Sequence, residues 1–255
     1  MNKLLFGAIS ALALVTANAA SAADLQVKAP FVAAPAPWSW TGFYVGVNAG
    51  GSIGRNSTTQ SESEGGESEI LGPFNISPAG FVGGGQFGYN YQFSANWVVG
   101  LEGDFQGTGQ IDTACALVCG GVETQALSTT QKLKWFGTAR VRFGYTNGDW
   151  LYYATGGVAG GEVNEAFSFN VPLATPLPIS VATSTNHINP GWVAGAGIET
   201  HVWGGWTVKA EYLYMDLGNI ADSFNLAAFG TPVVFTTTSH ISDNIIRAGV
   251  NLKFN

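Results

Sequence analysis

The stretch Thr41-Gly42-Phe43-Tyr44-Val45-Gly46-Val47-Asn48-Ala49-Gly50-Gly51-Ser52-Ile53-Gly54 alternates residue by residue. Phe43, Val45, Val47, Ala49 and Ile53 fall on one side, and Tyr44, Gly46, Asn48, Gly50 and Ser52 on the other. Period two marks a β-strand with one apolar and one polar face, because successive side chains leave a strand in opposite directions.

The same pattern recurs along the chain. In 79–92, Phe81, Phe87, Tyr89 and Tyr91 share a face; in 96–110, Trp97, Val99, Leu101 and Phe105 lie opposite Glu102, Asp104 and Gln106. In 131–146, Leu133, Trp135, Ala139, Val141, Phe143 and Tyr145 oppose Lys134, Arg140 and Arg142. Segments 149–164, 189–203, 206–219 and 242–254 bring the expected strands to eight. Three connections are tight: 93–96, Asn147-Gly148 and Gly204-Gly205, the glycines supplying the positive φ of short hairpin turns. The other four, 56–78, 111–130, 165–188 and 220–241, are long and polar. Short and long connections alternate strictly, a pattern a soluble sandwich has no reason to keep. An outer-membrane barrel has it, with short periplasmic turns and long extracellular loops. The strands also match the roughly 9–11 residues needed to cross lipid at a tilt. The expected fold is all-β: an eight-stranded antiparallel transmembrane up-and-down β-barrel with four long extracellular loops.

Composition agrees. Charged residues make up 11% of the chain, against about 25% in soluble domains. With 16 Phe, 8 Tyr, 8 Trp and 35 Gly, such a chain would be poorly soluble. In lipid it is at home, because closed strand pairing satisfies the backbone and the outer face calls for apolar groups. The net charge of −7 argues against a nucleic-acid partner, which needs clustered Lys and Arg. Aromatics gather where the short turns fall: Trp38, Trp40, Tyr91, Phe93, Trp97, Tyr145, Trp150, Trp203, Trp206 and Phe254 are expected in a periplasmic interfacial belt. Phe105, Trp135, Trp192 and Tyr214 suit an outer belt.

The amino terminus reads as an export signal. Lys3, an apolar run from Leu4 to Val15 and the small residues Ala20-Ser21-Ala22 make residues 1–22 a cleaved signal peptide. The run is too short for a membrane helix of about 20 apolar residues. Residues 23–40, with Pro30, Pro35 and Pro37 among alanines, read as an extended periplasmic linker, and 41–255 as the barrel domain.

Parity turns Glu102, Asp104, Arg140, Arg142, Glu199, His201, Lys209, Glu211 and Arg247 inward. An eight-stranded barrel is just wide enough for side chains to fill it, and a buried charge must pair or stay hydrated. The charges are therefore expected to form a lumen plug of ion pairs rather than line an open pore.

The segment Trp40-Thr41-Gly42-Phe43-Tyr44-Val45-Gly46, preceded by a Pro/Ala linker, resembles the first strand of the Omp25/RopB family of alphaproteobacterial outer-membrane proteins. The last strand, Ile246-Arg247-Ala248-Gly249-Val250-Asn251-Leu252-Lys253-Phe254, is similar to that family's closing strand and to the carboxy-terminal signal read by the barrel-assembly machinery. Phe254 carries the latter likeness; Asn255 departs from it, since such signals usually end on the aromatic residue. The resemblance implies a surface-exposed, antigenic outer-membrane barrel that supports envelope integrity among lipids and lipopolysaccharide. It implies no catalytic residue and no resident cofactor. Some related proteins are described as small porins or haem binders.

The remaining candidate sites are few. Cys115 and Cys119 are the only cysteines. Export into an oxidising space favours a local disulfide, and two thiols with no nearby His do not complete a zinc site. Gly83-Gly84-Gly85-Gln86-Phe87-Gly88 fits a dinucleotide-binding pattern but lies inside an alternating strand, not before a helix. Glu62, Glu64, Glu67 and Glu69 make the first long loop acidic; the reading preferred is a solvated loop over cation bridging to lipopolysaccharide. His187 and His240, with Ser184, Ser239, Asp222 and Asp243 nearby in the pattern, are the residues from which a hydrolytic site or a haem ligand would have to come. A catalytic triad is defined by geometry, and the sequence supplies none.

Overall fold

The computed structural model describes residues 38–115, 126–171, 179–226 and 233–254. The proposed signal peptide, most of the 23–40 linker and Cys119 lie outside them. The described residues form strands β1 (Gly42–Gly54), β2 (Asn56–Glu64), β3 (Glu67–Ile76), β4 (Ala79–Gln92), β5 (Trp97–Thr108), β6 (Asp112–Cys115), β7 (Ala126–Asn147), β8 (Trp150–Val171), β9 (Ile179–Trp203), β10 (Trp206–Leu226) and β11 (Val233–Phe254). Eight of these close a ring in the order β1-β4-β5-β7-β8-β9-β10-β11, and β11 returns antiparallel to β1 with Phe43 opposite Phe254. Closure gives each of the eight ring strands a neighbour on both sides, which is what lets a sheet stand in lipid.

The ring is inside-out relative to a soluble protein. Phe43, Val47, Phe87 and Leu101 are each about two-thirds exposed on the outer surface, whereas Glu102, Arg140, Arg142, Lys209 and Glu211 are buried inside. The alternation read in β1 is therefore the lipid and lumen faces of a barrel wall.

The long connections differ from the expectation of polar loops. β7 to β11 run for 21 to 25 residues, well beyond the length needed to cross lipid. In the first long connection, β2 and β3 form a hairpin that pairs with β11 beyond the point where β1 ends. Thr-, Ser- and Asn-rich runs such as 180–189 and 234–242 hold no long apolar face, so their strand character was hidden from a search for period two. They pair because their neighbours offer a ready ladder, and β residues such as Thr and Val suit it.

At the other rim the turns are tight. Asn147 pairs with Trp150, so the two-residue turn is Gly148-Asp149 rather than Asn147-Gly148. Gly148 (φ 63°) and Gly204 (φ 55°) hold the left-handed conformation these turns need. Tyr91, Phe93, Trp97, Tyr145, Trp150, Trp203, Trp206 and Phe254 ring this rim from outside, each 40–53% exposed. Phe105 packs against Trp135, and Trp192 against Tyr214, to give the outer aromatic level.

Leu133 and Trp40 depart from their expected places. A bulge between Leu133 and Trp135 turns Leu133 inward, correcting its expected place on the lipid face. Lys134 and Trp135 then both point outward and both reach Glu162 on β8, Lys134 Nζ at 2.9 Å and Trp135 Nε1 at 2.8 Å. Trp40 is the second correction: it is no belt residue but lies inside the periplasmic mouth, 1% exposed, against Val98, Leu151 and Tyr153.

Candidate functional site

Four acids and four bases meet inside the middle of the barrel. Glu102 and Asp104 come from β5, Arg140 and Arg142 from β7, Glu199 from β9, Lys209 and Glu211 from β10, and Arg247 from β11. Strand register accounts for the near pairs: Glu102 sits opposite Arg140, and Glu211 opposite Arg247. The rest reach across the lumen. Glu102 is the hub. It accepts from Arg140 Nη2, from Lys209 Nζ at 2.9 and 3.0 Å, and from Tyr44 Oη at 2.7 Å, with Arg142 Nη1 at 3.4 Å. Arg140 Nη1 also donates to Glu211 Oε1 at 3.0 Å, while Arg247 donates through Nη2 to Asp104 Oδ2 at 3.0 Å and through Nε to Glu211 Oε2 at 2.9 Å. Glu199 accepts from Arg142 Nη2 at 2.6 Å, Thr207 Oγ1 at 2.5 Å and Asn251 Nδ2 at 2.7 Å. Formal charges in this layer sum to zero, and every carboxylate has more than one donor. That is the condition under which buried charge is tolerable.

Two tyrosine rings brace the layer. Arg142 lies 3.9 Å from the centre of the Tyr153 ring and 5.6 Å from that of Tyr44. Each ring rests on a glycine: a Cβ at Gly88 would lie 2.4 Å from Tyr44 Oη, and one at Gly197 2.5 Å from Tyr153 Oη. The glycine run that imitates a nucleotide fingerprint thus contains a seat for Tyr44. Gly88→Ala should push the Tyr44 hydroxyl off Glu102 and cost about 1–3 kcal/mol, the usual range for overpacking. Gly85→Ala, in the same run but with only Gly46 O at 3.8 Å, should be near neutral. Urea unfolding of the two variants checks this; equal midpoints would show that the ring has room to move.

The charged layer is closed on both sides. Toward the cell surface lies an apolar layer with Val82, Phe136, Val193, Leu213, Met215 and Ile245, each no more than 2% exposed. Toward the periplasm Trp40 fills the mouth, its Nε1 donating to Thr146 Oγ1 at 2.8 Å and its backbone N to Gln92 Oε1 at 3.0 Å. Trp38 stacks on His201 at 3.8 Å beneath it.

Beyond the apolar layer the lumen turns polar again. Gln131 Nε2 donates to Glu165 Oε1 at 2.5 Å and to Ser239 Oγ at 2.7 Å. Above them Phe167, Phe224 and Phe235 stack with centroids 5.0–5.5 Å apart. Glu165 lies three residues past Glu162, about 7–8 Å above the outer aromatic level once strand rise is reduced by the barrel's tilt, and so beyond the lipid-spanning part of the strand. Burial pushes its carboxyl up to about 7, against hydrogen bonds from Ser239 and Gln131, and the nearby Asp222 carboxylate adds to the rise. The folded protein therefore holds this proton more tightly than the unfolded chain does. The group's contribution is most favourable below the ordinary carboxyl value and is lost as pH rises through about 7. Glu165→Gln should flatten the fall in unfolding midpoint between pH 5 and pH 8; an unchanged pH profile would show that Glu165 is ionised throughout.

Of the other candidate residues only His187 and Asp222 meet. His187 faces the lumen and bonds Asp222 at 2.8 Å, while His240 faces outward with Asn219 Oδ1 at 2.8 Å and Asp216 Oδ2 at 3.3 Å. The two histidines lie on opposite faces of the wall, so no single iron takes both. Ser184 is exposed and pairs with Asn164, whereas Ser239 is buried; among the described residues neither shares a hydrogen bond with either histidine. The glutamates of the first long connection lie at the tip of the β2–β3 hairpin, Glu62 opposite Glu69 and Glu64 opposite Glu67. Burial and the charges of Glu64 and Glu69 raise the Glu62 carboxyl. Among the described residues no group of three or more His, Cys, Asp and Glu is arranged to hold a metal. Phe254 faces outward at the rim. The expected Cys115–Cys119 pairing involves a residue outside the described ones.

Residues 10–254 match a family described as "Outer membrane protein beta-barrel domain". The chain belongs to this outer-membrane β-barrel family. It is 36% identical to the 31 kDa outer-membrane immunogenic protein of Brucella melitensis, covering 96% of this chain and 98% of that one. It is 28% identical to the 25 kDa outer-membrane immunogenic protein of Brucella abortus, covering 96% of both, and 28% identical to a 22 kDa outer membrane protein of Rhizobium leguminosarum, covering 85% of this chain and 79% of that one. Among solved structures, OprG from Pseudomonas aeruginosa aligns over 84% of this chain and 97% of its own, with 13% identity and a TM-score of 0.48. The resemblance read from the two end strands is thus borne out across the chain, and the protein is an outer-membrane barrel.

Proposed function

We propose that this family member is a structural surface protein of the outer membrane, immunogenic like its Brucella relatives, whose barrel supports envelope integrity without passing solutes. The observation that carries the reading is the filling of the lumen: a charge-neutral network at mid-height with an apolar layer above it and Trp40 below it. Ions crossing such a stack would have to part salt bridges and then enter a dry layer, each step costing several kcal/mol. Its natural partners are lipids and lipopolysaccharide against the exposed apolar wall, with the barrel-assembly machinery reading the strand that ends at Phe254. The disulfide between Cys115 and Cys119 is part of the same proposal, a local clasp on the extracellular side.

A cell lacking the protein should become more sensitive to detergent and to large antibiotics, and wild-type protein supplied in trans should restore resistance. Unchanged sensitivity, with the protein shown to be abundant in the parent, would remove the structural role.

A further inference from the structure

Asp243 is a buried carboxylate without a countercharge. It projects inward from β11 at 2% exposure, and no ion pair reaches it among the described residues. Oδ2 accepts from Ser52 Oγ at 2.5 Å and from Gln110 Nε2 at 2.9 Å. Ser52 Oγ in turn accepts from Gln110 Nε2 at 2.5 Å, so its own proton goes to Asp243. Among the described residues Oδ1 has no side-chain partner, and the backbone N–H of Asn244 is the one further donor to the carboxylate. Asp243 lines a cavity of about 10 Å³ together with Asn56, Gln110, Gln131, Leu133 and Met215.

The contrast with the mid-barrel layer is one of charge. There four acids face four bases. Here Asp243 shares the outer half of the lumen with Glu165 and Asp222, and neither Lys nor Arg turns inward among them. Lys132 forms part of the cavity wall, but both it and Arg55 are exposed and alternate with the inward-facing residues. A buried anion must be neutralised by a proton or by a cation. Oδ2 already accepts two donors, so a proton would have to sit on Oδ1, which makes no hydrogen bond to an acceptor. A cation in the cavity would meet Oδ1 directly and cancel the charge.

We propose that the cavity beside Asp243 is a binding site for one dehydrated monovalent metal cation of about sodium size. Asp243 Oδ1 is the anionic ligand, and the amide oxygens of Asn56, Gln110 and Gln131 are neutral ones; Asn56 Oδ1 already accepts from Ser242 N and Gln131 Oε1 from Asn56 Nδ2, which leaves each a second lone pair. The cavity is about one water-sized sphere. Calcium takes six to eight oxygens, commonly from several carboxylates, and this cavity has one carboxylate.

The test is the unfolding equilibrium of the purified, folded barrel at constant ionic strength, with sodium chloride progressively replacing N-methylglucamine chloride, whose cation is too bulky for the cavity. Sodium should stabilise the wild type saturably, shifting the unfolding equilibrium about tenfold at ten times its Kd. Asp243→Asn should abolish that dependence. Val163→Leu, which fills the cavity from its apolar wall, should abolish it too and serves if the first variant does not assemble. No difference between the two salts would overturn the proposal in favour of a protonated acid with a buried water. A sodium effect that survives in both variants would also overturn it, placing the cation elsewhere, at the acidic hairpin tip for instance.

Discussion

Glu102→Gln is expected to destabilise the barrel by about 3–5 kcal/mol, the range for breaking a buried ion pair from one side. The change is nearly isosteric, so packing is spared and the loss is electrostatic. Glu102 accepts from Arg140, Lys209 and Tyr44, and all three stay buried when its charge is removed. The layer then holds four cations against three acids, all of them buried. Restoring neutrality should restore stability: Glu102→Gln combined with Lys209→Met returns the count to three against three and should recover most of the loss. The non-additivity of this pair is the signature, since the two residues touch at 2.9 Å. Urea unfolding in lipid vesicles reads it. A single variant within about 1 kcal/mol of wild type would mean that water reaches the layer.

Trp40→Ala is expected to cost a comparable amount, about 3–5 kcal/mol, as for other fully buried aromatics. Trp40 precedes the first strand, yet it is 1% exposed and packs on Val98, Leu151 and Tyr153. Its removal opens a cavity in the periplasmic mouth and strands the Thr146 hydroxyl without its indole donor. Trp40→Phe keeps most of the packing and should lose only about 1 kcal/mol, the net worth of one hydrogen bond. If Trp40→Ala unfolds at the wild-type midpoint, the residue is a belt aromatic after all and lies outside the lumen.

The legibility of this protein in its sequence divides along physical lines. The ring was readable because lipid on one side and charge on the other force period two, as in Phe43 to Ile53. The eight lumen charges were readable from the same parity, and the structure places them together. Which charge meets which is fixed by strand register only for pairs such as Glu102–Arg140; contacts such as Arg247 to Asp104 depend on ring closure. Leu133 was misplaced because a bulge shifts parity by one, and Lys134 gives no local sign of it; the shared partner, Glu162, is distant in sequence. Trp40 was misplaced for a different reason. A tryptophan at a rim is equally suited to the headgroup level and to a plugged mouth, and only the Thr146 hydroxyl and Val98 decide between them. Asp243 reads in the sequence only as a companion of the outer histidines, because a buried acid and a loop acid look alike until burial is known.

The central claim is that the lumen is closed, and planar-bilayer recording of the purified mature protein tests it most directly. The account predicts heat-modifiable, folded barrels that insert without steady conductance. Stable, large channels from those same barrels would contradict it.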